Sequence, residues 1–325
     1  MKIITAFFCF LILISSVNSA FSLTIEPEPP FEVYTIEDLI TVGHRSNVSS
    51  VMLMNDLEIT DEIWRPIGRA NRPFNGTFDG NNYTITFKED VHIIPAPGSE
   101  NFGCGLFGYV RNGRIRDLNV VFQGNLTSFE NNTGALVGVL NSSSYSFDFP
   151  SIIDCSVSSN RHSVSGKNNV GGLVGYVING SIENSSADCL VVSSGNNAGG
   201  LVGQIHLGSI FNASATGSVK SETYAGALVG YVSNTTAISS SSADGTVKPK
   251  GEFGNFVGGW DENYKPEVFN CLYQGTHADL DPVPHDLEPI PSIYCYDNKY
   301  RNLATGLGII ILIAAAVILY FKKRK

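Results

Sequence analysis

The chain has 325 residues, 43% of them hydrophobic and only 16% charged, with a formal charge of −9. Glycine is raised to 33 residues, about 10% against the usual ~7%, and the apolar content is too high for intrinsic disorder. Five of the 21 cations (Lys2, Lys322, Lys323, Arg324 and Lys325) sit at the extreme ends, so the body sets 16 cations against 30 carboxylates and carries −14, which excludes a nucleic-acid partner.

Lys2 precedes an apolar run from Ile3 to Ile14 and then Ser15-Ser16-Val17-Asn18-Ser19-Ala20. Val17 and Ser19 suit the −3 and −1 positions of a signal peptidase, so residues 1–19 read as a signal peptide; the short run and the small residues favour cleavage over a retained anchor. Residues 31–100 read as an N-terminal cap and the first coils of a stacked array. Tyr34, Ile36, Leu39 and Ile40 predict one amphipathic helix turn or an edge segment there.

The middle of the chain repeats itself. A Gly-hydrophobic block recurs as GLFGYV at Gly105, GALVGVL at Gly134, GGLVGYV at Gly171, GGLVGQI at Gly199, GALVGYV at Gly226 and a worn NFVGGW at Asn255. Its last shared glycine falls at 108, 138, 175, 203, 230 and 258, in steps of 30, 37, 28, 27 and 28. A second block follows each first one. It supplies a branched column of Ile115, Ile152, Ile182, Ile210, Ile238 and Val268. Two residues on stand Asp117, Asp154, Asn184, Asn212, Ser240 and Asn270, and then a small or apolar column of Leu118, Cys155, Ser185, Ala213, Ser241 and Cys271.

A period of ~28 residues with β-branched runs and no 3.6-residue pattern excludes helical solenoids, and it is too short for a propeller blade. The fold class is therefore all-β, a right-handed parallel β-helix over residues 101–277, in which each repeat makes one coil and each column stacks on itself at about 4.8 Å. Ile182, Ile210 and Ile238 fill the interior, as do Val137, Val174, Val202, Val229 and Val257. Asn184, Asn212 and Asn270 are expected to hydrogen-bond as a buried amide ladder, and corner glycines to supply positive φ. Cys155 and Cys271 read as core filler.

GGLVGYV followed by GSIENSSADC resembles the GLUG-repeat motif of prokaryotic surface proteins. The upstream Trp64-Arg65-Pro66-Ile67-Gly68, Phe74-Asn75-Gly76-Thr77-Phe78-Asp79-Gly80 and Thr84-Ile85 are similar to the segment that commonly precedes such repeats. The resemblance spans roughly residues 31–277 and implies a β-helix with an adhesin-like role. The repeat also occurs beside bacterial immunoglobulin-A peptidase domains, but none of the six histidines here lies in an HExxH pattern, which puts a zinc protease out of reach.

Beyond the repeats, Pro282, Pro284, Pro289 and Pro291 mark a stalk over residues 278–302. Leu303 to Phe321 is a 19-residue uncharged stretch, long enough for one membrane span, and the basic tail 322–325 would hold it with the C-terminus in the cytoplasm. The body then lies outside the cell or in a lumen, on a single-pass protein of the cell membrane. The same tail argues against a lipid anchor, while Lys322 and Lys323 suit either a retrieval signal or plain stop-transfer charge. Without the leader five cysteines remain, with no disulfide or zinc spacing. Cys295 is the candidate for a bond between copies.

Ten Asn-x-Ser/Thr sequons occur. Asn47, Asn75, Asn131 and Asn141 are candidate glycan sites, with Asn131 and Asn141 favoured for their loop-like surroundings, whereas Asn184 and Asn212 are expected to stay bare in the ladder. No catalytic, cofactor-binding or metal-binding residues are assigned. Asp188 and Asp244 share a column with Thr216 between them, about 9.6 Å apart, which barely suits an inverting carboxylate pair; turn aspartates are the simpler reading. Asp79 reads as a turn former before Gly80, and Trp64 as core of the cap. Tyr109, Tyr176 and Tyr231 follow the glycine block in three coils, interrupted by Val139 and Gln204. The reading is a non-catalytic, membrane-anchored solenoid with a structural or adhesive role, whose ligand is a glycan or a cell-envelope protein. The alternative is a polysaccharide-binding module or a β-helix polysaccharide lyase or hydrolase.

Overall fold

A computed structural model describes residues 28–45, 48–95, 103–142, 150–250, 253–254, 256–274 and 276–277. The leader, Asn47, the Pro-rich stalk with Cys295, the 303–321 stretch and the basic tail lie outside these. Among the described residues no helix is long and apolar enough to cross a membrane.

From Phe31 onward the chain winds through three sheets of 13, 12 and 5 strands, and the strand pairings within them are parallel. Each regular coil visits all three. One coil enters the smallest sheet at Val170–Gly171, runs through the largest as Val174–Glu183, and returns through the second as Ser186–Ser193. The next coil repeats the path as Ala198–Gly199, Val202–Phe211 and Ser214–Ser221. Residues before and after 100 share the same sheets: Ser50–Leu53 pairs with Thr77–Asp79, and Thr77–Asp79 with Arg114–Arg116. The cap and the repeats are thus one continuous stack.

The register turns sequence columns into physical ones. Phe78, Ile115, Ile152, Ile182, Ile210, Ile238 and Val268 are consecutive Cα partners, and all but Val268 are buried. Val137, Val174, Val202, Val229 and Val257 form a second buried column. Branched side chains suit this setting because each rung presents the same narrow slot to the next.

The corners work differently from the expectation. Positive φ is supplied by the polar column: Asp117, Asp154, Asn184, Asn212, Ser240 and Asn270 all have φ between 49° and 53°. The six block-end glycines have no such φ; among the described glycines only Gly68, Gly208 and Gly217 do. The block-end glycines are there for space. A Cβ on Gly175 would meet the Asn132 carbonyl carbon at 2.4 Å, and one on Gly203 the equivalent atom of Asn169 at 2.4 Å. Asn and Asp tolerate the left-handed region because their short polar side chains bond locally.

The small column after each corner also has a local task. Ser185 Oγ accepts from the Cys155 amide at 3.1 Å and donates to the Glu183 carbonyl at 2.7 Å. Ser241 repeats this with Ala213 and Ser239. Cys155 and Cys271 point their thiols at the carbonyls two residues back, those of Ile153 and Phe269.

At the N-terminal end, Ile36–His44 is a nine-residue helix with a Thr35–Asp38 capping box. It is longer than the single turn expected. Its buried face is Leu39 and Val42, while Tyr34 and Ile40 point outward. Trp64 is core, 3% exposed, with its indole N–H donating to the Leu106 carbonyl at 3.2 Å.

Candidate functional site

The Asn184–Asn212–Asn270 column stacks, and Asn212 Nδ2 donates to Asn184 Oδ1 at 2.9 Å, but it lies on the surface and is not buried. Asn184 follows Ile182 by two residues, which in a regular strand would put both inside. The positive φ at Asn184 breaks the alternation, so Ile182 and Ser185 face inward and the asparagine faces out. Burial therefore gives no reason for the sequons at Asn184 and Asn212 to stay bare.

The amide ladder that the column alignment missed lies one corner away. Asn169 Nδ2 donates to Asn132 Oδ1, and Asn197 Nδ2 to Asn169 Oδ1, each at 2.8 Å. Beside it, Asn168 Nδ2 donates to Asn131 Oδ1 at 2.8 Å, and Thr223 Oγ1 to Asn196 Oδ1 at 2.6 Å. The signal was present as three Asn-Asn pairs, each ending two residues before the first glycine of a block.

Of the other sequons singled out, Asn75 and Asn131 are exposed. Asn141 is not in a loop: it ends the strand Val137–Asn141, is half-buried, and donates its amide nitrogen to the Tyr109 hydroxyl at 2.6 Å. Asp188, Thr216 and Asp244 are in register and exposed, and Thr216 Oγ1 donates to Asp188 Oδ1 at 2.5 Å. Asp79 caps its turn by accepting from the Asn81 amide at 2.8 Å, and it is also paired with Arg116. Burial pushes the Cys104, Cys155 and Cys189 thiols up to about 12. Among the described residues no group of three His, Cys, Asp or Glu is placed to hold a metal ion.

The tyrosine column meets a second aromatic ring near its C-terminal end. Tyr109, Val139, Tyr176, Gln204, Tyr231 and Gly259 are successive partners in the largest sheet. Tyr109 is 6% exposed, with the Arg111 guanidinium 5.3 Å from its ring centre. Tyr231 is half-buried and meets Tyr224 at a centroid distance of 4.8 Å and an interplanar angle of 47°. These two rings, with Gly259, Trp260, Asp261, Glu262 and Asn263, line a cleft of about 420 Å³, inside the ~300–1,000 Å³ range of small-ligand sites.

Gly259 makes the cleft possible. A Cβ there would sit 2.4 Å from Tyr224 Cδ1, so the Tyr224 ring occupies the space that a side chain fills in the coils below. Asp261 Oδ1 accepts from the Asn263 backbone amide at 3.1 Å and from its Nδ2 at 3.3 Å, which fixes the turn carrying Glu262. One rung down, the pairing of Ala198 with Ala225 sets Asn197 against Tyr224, and Gln204 lies beneath Tyr231. Asn197 is 8% exposed, and its carboxamide oxygen has no hydrogen-bond partner among the described residues. A tyrosine ring at this rung ends the amide ladder.

No curated protein matches the chain. The family model of the GLUG motif matches residues 166–188, 194–220 and 221–248. Those matches fall on three adjacent coils of the parallel stack, so this stretch of the chain is built of GLUG repeats.

Proposed function

We propose that the chain is a membrane-anchored surface solenoid with a structural or adhesive role and no catalytic activity. The observation that carries this reading is the run of parallel pairings from Phe31 to Tyr273, which bonds each described coil to the next through a register shift between Ser158 and Ser163. Such a stack gains stiffness from every rung and presents faces rich in Asn, Ser and Thr. The winding is right-handed, as parallel crossovers overwhelmingly are. Residues 303–321 cross the bilayer once, the 278–302 stalk lifts the solenoid away from it, and the solenoid faces the exterior. Exposed Asn75 and Asn131 carry glycans if the host glycosylates, and Cys295 links copies.

A lyase or hydrolase is the less favoured reading, because Asp188 and Asp244 stand on an exposed strand face with Thr216 tied to Asp188. Membranes from cells expressing the full chain, extracted with alkaline carbonate, should keep it in the pellet, and protease added to intact cells should remove the solenoid. Recovery in the supernatant, or protection in intact cells, would overturn the anchored, outward reading. Release of reducing or unsaturated ends from a polysaccharide panel, lost in Asp188→Ala, would overturn the non-catalytic one.

A further inference from the structure

We propose that the cleft at Tyr224, Tyr231 and Trp260 binds a pyranose oligosaccharide free of acidic groups. This rests on the adhesive reading and gives it a contact point. A pyranose ring carries C–H groups on its faces and hydroxyls around its edge, so it needs flat apolar rings beneath and hydrogen-bonding groups at the rim. The cleft supplies both: the Tyr224 and Tyr231 rings give the flat surface, Asp261, Glu262 and Asn263 form the rim, and Trp260 borders it from the neighbouring column, packed against the core. Among the described residues that line it there is no cation. With the body at −14, the site therefore repels uronic acids and other acidic sugars.

Two further observations set this rung apart from ordinary strand surface. Asn132, Asn169 and Asn197 continue one another by side-chain hydrogen bonds until Tyr224 takes the next place and leaves the Asn197 carboxamide oxygen buried and without a partner among the described residues. A buried acceptor without a partner destabilises the fold, so the local rule is broken at a cost in stability just where the aromatic rings gather, the pattern expected of a functional site. Independently, the strand column that presents Tyr109, Tyr176 and Tyr231 presents glycine at 259, and only glycine leaves room for the Tyr224 ring to lie there. One substitution brings in a ring and the other clears its seat.

The test uses the full-length chain and follows its tryptophan emission, to which the cleft contributes Trp260. It is titrated with cellotetraose, mannotetraose and chitotetraose, with tetragalacturonate as the acidic counterpart. At least one neutral tetrasaccharide should change the emission with a Kd at or below about 1 mM, and tetragalacturonate should not. Tyr224→Asn, which restores the ladder, should raise the urea midpoint of unfolding and weaken binding at least about tenfold. Gly259→Ala should weaken binding as well, by displacing the Tyr224 ring.

Silence with all three neutral sugars overturns the proposal, and so does unchanged affinity in a folded Tyr224→Asn. Choline giving the emission change in place of the sugars would assign the cleft to an organic cation and overturn it too. Carbonate extraction reads the anchored surface role separately, so a cleft that binds no sugar on a chain that stays in the membrane refutes the cleft alone.

Discussion

Gly203→Ala tests the claim that the block-end glycines serve close approach rather than unusual backbone angles. The new Cβ would lie 2.4 Å from the Asn169 carbonyl carbon, 2.5 Å from the Val170 nitrogen and 2.7 Å from the Gly175 oxygen. That is roughly 1 Å inside ordinary van der Waals contact with main-chain atoms from two segments of the neighbouring coil. No side chain can swing aside. The coils must part locally, which loads the hydrogen bonds from the Asn169 and Val170 amides to the Asn196 and Asn197 carbonyls, now 3.0 and 2.9 Å long. We expect a loss of about 3 kcal/mol, the upper end for overpacking, measured by urea unfolding followed by far-ultraviolet circular dichroism. Asn212→Gly is the control: φ there is 49°, which glycine adopts freely, so its change should stay within about 0.5 kcal/mol. A Gly203→Ala protein within about 1 kcal/mol of wild type would refute the close-approach account.

Leu207 sits at φ 63° and is half-buried, a conformation that costs a branched residue about 1–2 kcal/mol. Leu207→Asn should therefore raise the urea midpoint, since the rung below holds Asn179 at φ 58°; a lower midpoint would show that Leu207 contributes more by contact than it loses in strain. The thiols predict alkaline sensitivity. Their folded values of about 12 lie above the ordinary 9.0, because burial disfavours the thiolate at Cys104, Cys155 and Cys189, with Glu130, with Asp117 and Asp154, and with Asp188 adding repulsion in turn. Above pH ~9 the unfolded chain gives up protons that the folded chain keeps, so stability is full below that pH and falls by about 1.4 kcal/mol per pH unit per thiol toward pH ~12. Cys189→Ala should shed its share of that slope in urea titrations under reductant, and an unchanged slope would contradict the assignment.

Stacking is legible in the string alone. Six copies in register, a branched column and a ~28-residue period leave little choice but parallel coils, because each coil can bury its apolar face only against its neighbours. Ile182, Ile210 and Ile238 stand where the alignment put them, and three tandem GLUG matches cover the same coils. Which way a column faces was decided only in three dimensions. The stacked column reads as a buried ladder with Asn184 inside beside Ile182, but a left-handed residue reverses the side-chain direction, and nothing in the string distinguishes an asparagine that bonds inside a core from one that turns a corner. The glycines were misread for the matching reason: their role depends on which main-chain segment lies one coil away. The cleft was hidden too, since it arises where two columns fail in successive coils, Tyr224 for asparagine and Gly259 for tyrosine. Each failure looks like wear in its own column. Only the fold brings Tyr224 onto Gly259 and shows that the two departures fit each other.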